Sequence, residues 1–252
     1  MAWGARSVIA SLFDTLNANT LVLPASGTVN LVAGRLYILF YATHRSGAAP
    51  DLSASFVISY SDVGDVTSQW TYVAQSGTYA AGLRRCAMYW TIPAASHTTI
   101  TVTMDPTGST NSNNQGQLIE VASGFDTTTP VANSAVNQEE GSTSFVMNLA
   151  GAPAATALSV VGVANEDETA GITNSVGGLN ELAETPGTGT SADSGAIAIY
   201  DKDAAVQNTT FTPDDAGSKN WGAVHLELKA AAAAGGSQPP RTMHQERLRR
   251  AT

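Results

Sequence analysis

Cysteine is almost missing from this 252-residue chain: Cys86 stands alone, so no intrachain disulfide can form and a disulfide-stapled secreted module is excluded. Charge is scarce as well. Only 13% of residues are charged, and the positive sign is the scarcer, with 12 Lys and Arg against 21 Asp and Glu. Phosphate binding needs clustered cations, so nucleic acid is disfavoured as a partner. No window reaches the ~18 apolar residues of a membrane span. The opening MAWGARSVIASLF is interrupted by Ser7 and Ser11, is ended by Asp14 and has no small-residue cleavage pattern. A soluble chain without a signal peptide is the expectation. Catalytic signatures are missing too: His44, His97, His225 and His244 are scattered, and no G-x-S-x-G, HExxH or CxxC occurs. No enzyme, bound metal or cofactor is expected.

What the chain has in plenty is Ala, Gly, Thr, Ser and Val, which suits short strands and small-residue turns better than helices. Thirteen runs read as strands by period-2 alternation or by continuous β-branched and aromatic residues: 20–24, 28–32, 35–43, 55–60, 69–74, 85–92, 98–104, 117–122, 143–149, 157–164, 196–202, 208–212 and 223–229. The body also repeats. LYILFYATHRSG is similar to ALSVVGVANEDE, CAMYWTI to AIAIYDK, HTTITVTMD to NTTFTPDD, and QLIEVA to VHLELKA, in the same order. The expected fold is all-β, a jelly-roll-like antiparallel β-sandwich with a doubled four-strand pattern. The halves form either two tandem sandwiches or one sandwich whose sheets both draw on both halves. Because 123–137 runs into the next strand with little pause, one domain over 1–229 is favoured.

Composition breaks at Ala230. An Ala/Gly/Pro linker over 230–240 leads to a basic peptide over 241–252. From Gly235 onward Arg241, Arg247, Arg249 and Arg250 face Glu246 alone, a net of +3, while the eight positives and twenty acids before them leave −12. Thr242 to Gln245 has capping-box spacing ahead of the helix-favouring ERLRRA. The tail is expected to act as an inter-subunit strap, its arginines forking onto carboxylates and Met243 and Leu248 serving as apolar anchors. A solvated basic tail and contact with packaged DNA are the alternatives.

Three further groups are candidates. Trp70, Tyr72, Tyr89 and Trp90 offer aromatic faces for sugar stacking, although Trp70 and Tyr72 share one strand face while Tyr89 and Trp90 point oppositely, so most are expected in the core. Trp70, Tyr72 and Trp90 remain the glycan-binding candidates. Asn165-Glu166-Asp167-Glu168, with Asp193, Asp201, Asp203, Asp214 and Asp215, is oxygen-rich but lacks the alternating spacing of a calcium loop, so a solvated rim is expected. In the last strand Val224, Leu226 and Leu228 should face the core, leaving His225 and Glu227 to pair with neighbours or meet solvent.

One resemblance gathers these features. PASGTVNLVAGRLYILFYAT (24–43), Gln69-Trp70, RRCAMYWTIPAAS (84–96), QLIEVASGFDTTTPV (117–131) and NWGAVHLELK (220–229) follow one another in an order that resembles the jelly-roll-type sandwich of tailed-bacteriophage virion proteins. The likeness is to minor tail and tail-tip proteins, especially of actinobacterial phages, and to some bacterial surface proteins. It covers roughly residues 18–230. The resemblance implies a structural or adhesive role without catalysis: a minor tail, tail-tip or head-decorating subunit, assembled in the bacterial host cytoplasm, partnered by copies of itself and other virion proteins. A carbohydrate-binding adhesin for host attachment is the alternative. The Gly/Asp-rich loop at 171–195 and the basic peptide depart from the pattern.

Overall fold

The computed structural model describes residues 3–12, 20–45, 49–54, 56–106, 112–149, 151–166, 171–185, 196–203, 206–214 and 217–232. Among them the chain is all-β. The first half holds β1 (Arg6–Leu12), β2 (Leu21–Leu23), β3 (Val29–Leu31), β4 (Leu36–Arg45), β5 (Phe56–Tyr60), β6 (Gly64–Asp65), β7 (Thr71–Gln75), β8 (Arg84–Thr91), β9 (His97–Ile100), β10 (Val102–Pro106) and β11 (Ser112–Val121). The second holds β12 (Val131–Ser142), β13 (Phe145–Asn148), β14 (Leu158–Asn165), β15 (Ile172–Val176), β16 (Asn180–Thr185), β17 (Ile197–Asp203), β18 (Asn208–Pro213) and β19 (Lys219–Leu228). The 171–195 segment, expected to be a loop, thus contains β15 and β16.

Each half makes its own antiparallel jelly roll. In the first, β1-β11-β4-β8 with β7 at the edge form one sheet and β2-β10-β5-β6 the other, while β3 and β9 pair as a short ribbon. In the second, β12-β19-β14-β17 with β16 at the edge repeat the five-stranded order, and β13-β18-β15 form the outer sheet. Among the described residues no sheet mixes strands from both halves, so there the sheets do not interleave. The four sequence-similar pairs fall on equivalent strands: β4 with β14, β8 with β17, β10 with β18, β11 with β19. Register repeats as well. Leu36 lies opposite Val121 as Leu158 lies opposite Leu228, and both edge strands carry a bulge at the same place, between Tyr72 and Ala74 in β7 and between Glu181 and Ala183 in β16.

The two five-stranded sheets stack face to face, giving four layers and three cores. Tyr37, Leu39 and Tyr41 of β4 point into the first sandwich, and Leu36, Ile38, Phe40 and Ala42 into the core shared between halves. In β14, Val161 and Val163 enter the second sandwich while Leu158, Val160 and Ala164 enter the shared core. This double burial explains why LYILFYA and LSVVGVA are continuous apolar runs rather than alternating ones. β1 packs beside β16 and β7 beside β12. Exchanging equivalent strands turns one contact into the other, so the interface has an approximate two-fold symmetry, the isologous form of a dimer interface.

Phe40 and Gly162 occupy equivalent positions and meet across that interface, where a Cβ on Gly162 would overlap the Phe40 ring. Gly162→Ala should therefore lower stability by about 1–3 kcal/mol through overpacking, read as a lower urea midpoint at unchanged slope. Phe40→Leu in the Gly162→Ala background should recover part of the loss, and a neutral Gly162→Ala would refute this account of the packing. Because both halves line the shared core, a single calorimetric transition is expected for the body.

Candidate functional site

The aromatic candidates do not share a surface. Trp70 is 7% exposed, and its indole Nε1 donates to the Tyr60 hydroxyl at 2.9 Å inside the first sandwich. Tyr72 is half-buried and meets the Tyr89 ring edge-on at 5.7 Å, with Tyr89 stacked on Phe56 at 4.6 Å. Trp90, on the opposite face of β8, packs against the shared core. The five-stranded sheet therefore separates Trp90 from Trp70 and Tyr72. The strap residues Arg241, Met243, Arg247, Leu248, Arg249 and Arg250 lie outside the described residues. Ahead of them, Ala230 bridges to Phe125 and the Ala231 amide donates to the Gly124 carbonyl, so the linker leaves the body along 124–125.

The acidic residues disperse into separate tasks. Glu166 accepts from the Asn220 side chain at 2.5 Å, Asp214 accepts from the Thr173 hydroxyl at 2.5 Å, and Asp167, Glu168, Asp193 and Asp215 lie outside the described residues. Glu184 and Asp214 converge over Gly171, where either carboxylate would crowd an added Cβ. The Glu184 carboxylate takes the Ile172 amide and so caps β15 rather than standing free. Burial, with Glu181 and Asp214 nearby, pushes its pKa up. Among the described residues no group of three His, Cys, Asp or Glu is placed to hold a metal.

What the fold does bring together is a polar seam between the halves. The Arg6 guanidinium of β1 pairs with Asp201 of β17 and, through Nη1, with Asp203 at 2.9 Å. Asp201 is 1% exposed, and burial pushes its pKa up although Arg6 draws it down. The Trp3 indole Nε1 donates to the Thr156 carbonyl at 3.0 Å. On the other side, Gln138 and Glu140 of β12 accept the amides of Gly77 and Ala81 at 3.0 and 3.1 Å. The turn they grip is strained: Ala80, Ala81 and Gly82 all have positive φ, and two alanines in the left-handed region cost of order 1 kcal/mol each. It inserts Tyr79 flat against Gly222, whose missing side chain makes the room. Beside it Thr43, His44, Arg84, Asn113, Gln115 and Asn165 line a cavity of about 10 Å³, the size of one water.

No sequence motif announces this seam, since Arg6 and Asp201 are 195 residues apart. The repeat does give its logic. By register, Arg6 corresponds to Val131 and Asp201 to Trp90, and both of those pack against the shared core. The same position is ionic on one side of the interface and apolar on the other. Arg6→Met, which strands a buried carboxylate, should cost about 3–5 kcal/mol, whereas Arg6→Met with Asp201→Leu should restore most of it. Denaturant titration of both variants tests this, and equal losses would refute it.

No family model matches the chain, and no curated protein matches it. Among solved structures, the major capsid protein P2 of bacteriophage PM2 aligns with 92% of this chain and 100% of its own, at 9% identity and a TM-score of 0.24. A superposition that loose transfers neither site nor activity.

Proposed function

We propose that this chain is a non-enzymatic structural protein of a tailed-bacteriophage virion, a minor tail, tail-tip or head-decorating subunit. It assembles through its sandwiches with copies of itself and other virion proteins, and its basic C-terminal peptide straps a neighbour. The observation that carries the reading is the duplicated jelly roll. Jelly rolls serve as viral coat and lectin domains, and here the two broad sheets cover each other, leaving the outer sheets and strand edges as the surfaces offered to partners. The ordered motifs over roughly 18–230 support the same assignment. Against the glycan-binding alternative, Trp70 lies in the first sandwich and Trp90 packs against the shared core.

Charge supports the strap. A body of −12 supplies carboxylates, and a tail of +3 supplies guanidiniums that bind them in bidentate fashion. The reach is sufficient: from Ala232, the last body-proximal residue described, the eight residues to Pro240 extend up to ~28 Å.

Light scattering after size exclusion, on the full chain and on a chain ending at residue 234, each at low and high salt, tests the reading. The full chain should assemble, the shortened one should not, and added salt should weaken the assembly. Monomers in both cases at every salt would overturn self-strapping. An assembly that survives truncation would locate the contact in the sandwiches alone.

A further inference from the structure

The two halves control for each other at every equivalent position. The register that makes Val121 equivalent to Leu228 makes Leu118 equivalent to His225. Leu118 sits between Ala10 and Leu39, and His225 between Ala135 and Val161, each facing the core of its own sandwich. Both are fully buried. The fold thus needs only an apolar side chain here, yet the second half carries an imidazole, and neither Nδ1 nor Nε2 has a hydrogen-bond partner. His225 was expected to pair or to meet solvent. Instead the strand is buried on both faces.

Among the described residues no carboxylate pairs with the ring. On β19 itself the Glu227 carboxylate is taken up by the Ala154 amide at 2.7 Å. On β17, Lys202 donates to the Gly177 carbonyl at 2.6 Å and the Tyr200 hydroxyl donates to the Ile172 carbonyl. The facing positions of the other neighbouring strands are uncharged: Asn133, Ala135 and Asn137 of β12, Ser159, Val161 and Val163 of β14, Phe145 and Met147 of β13, Thr209 and Phe211 of β18. A proton arriving on the ring would be a buried, uncompensated charge.

We propose that His225 is an acid-sensing element whose protonation loosens the second sandwich while the first, with Leu118 in its place, stays closed. Burial alone holds the folded-state pKa at about 4, against 6.5 for a free imidazole. The open state therefore takes up the proton first. Stability is whole above pH 6.5 and falls as pH drops towards 4, with each pH unit raising the opening constant about tenfold. The raised carboxyls of Asp201 and Glu184 act in the opposite sense, adding stability as pH falls through their raised folded-state values, and they are common to every variant compared. The inference is independent of the tail and of any assembly.

Hydrogen exchange by mass spectrometry tests it, on the full chain at pH 7 and pH 4.5 after correction for intrinsic rates. Between these conditions β13, β15 and β18 should lose protection on the order of a hundredfold in the wild type. They should lose little in His225→Leu. His225→Gln keeps a buried polar group that does not titrate, so it should be looser than His225→Leu at both pH values but equally flat between them. An identical pH response in wild type and His225→Leu would overturn the proposal, and so would an equal loss across β2, β5 and β10. Should His225→Leu fail to fold, His225→Gln decides alone: a flat profile supports the proposal and a wild-type profile overturns it.

Discussion

The core between the two five-stranded sheets is the constraint on which the rest of the structure depends. A sheet with one solvated face tolerates charge at alternate positions, but a sheet covered on both faces does not. β4, β14, β8, β17, β11 and β19 are therefore nearly uncharged along their central residues, and the carboxylate and amide of the first half show how a retained polar group is engaged. Glu120 is held by Arg35 and Tyr37 at 2.6 and 2.7 Å, and Asn114 accepts from Tyr41 and Thr43 at 2.5 and 2.9 Å. The same double burial calls for a glycine where the approximate two-fold brings Phe40 onto its own equivalent. The chain's low charge content is thus a property of its layering before it says anything about partners.

Duplication also separates what the fold requires from what this chain has added. Features present in both halves, such as the bulge at the edge strand and the exposed valines Val22 and Val146 opposite Thr103 and Thr210, belong to the template. Features in one half alone need another cause. Arg6 with Asp201 replaces the apolar Val131 and Trp90 and is not needed for a jelly roll. It ties one half to the other, as does the turn after Tyr79 gripped by β12. They fix the relative placement of two bodies that apolar stacking alone would hold with less directional preference.

Much of this architecture was legible in the sequence. The six central strands covered on both faces, β4, β8, β11, β14, β17 and β19, are marked by their apolar runs, and the four-strand repeat falls on equivalent strands of the two halves. The strands that went unread are the polar ones. β12, VANSAVNQEEGS, is an edge strand with a wet outer face, β15 and β16 are short and lie in a Gly-rich stretch, and β1 carries Ser7 and Ser11 within a weak apolar run. Their strand conformation comes from partners, not from their own pattern. The seam was invisible for a related reason, because an ion pair between residues 6 and 201 leaves no local spacing to detect. The face assignment of His225 failed because alternation was read as core against solvent, when both sides of β19 are core.

That failure bears on how function should be sought in such a chain. A two-core strand offers a polar residue no solvent to escape into, so a polar residue there must find a partner or remain an unsatisfied group. Glu227 finds the Ala154 amide, and its equivalent Glu120 finds Arg35 and Tyr37, which leaves His225 distinct among these neighbours. The first half shows that leucine serves at that position, so the imidazole is not a requirement of packing. What an unpartnered imidazole adds and leucine cannot is a response to proton concentration, confined to the half that carries it. A protein whose sheets are arranged to cover each other can still respond to its surroundings, through one buried group whose charge state the interior does not tolerate.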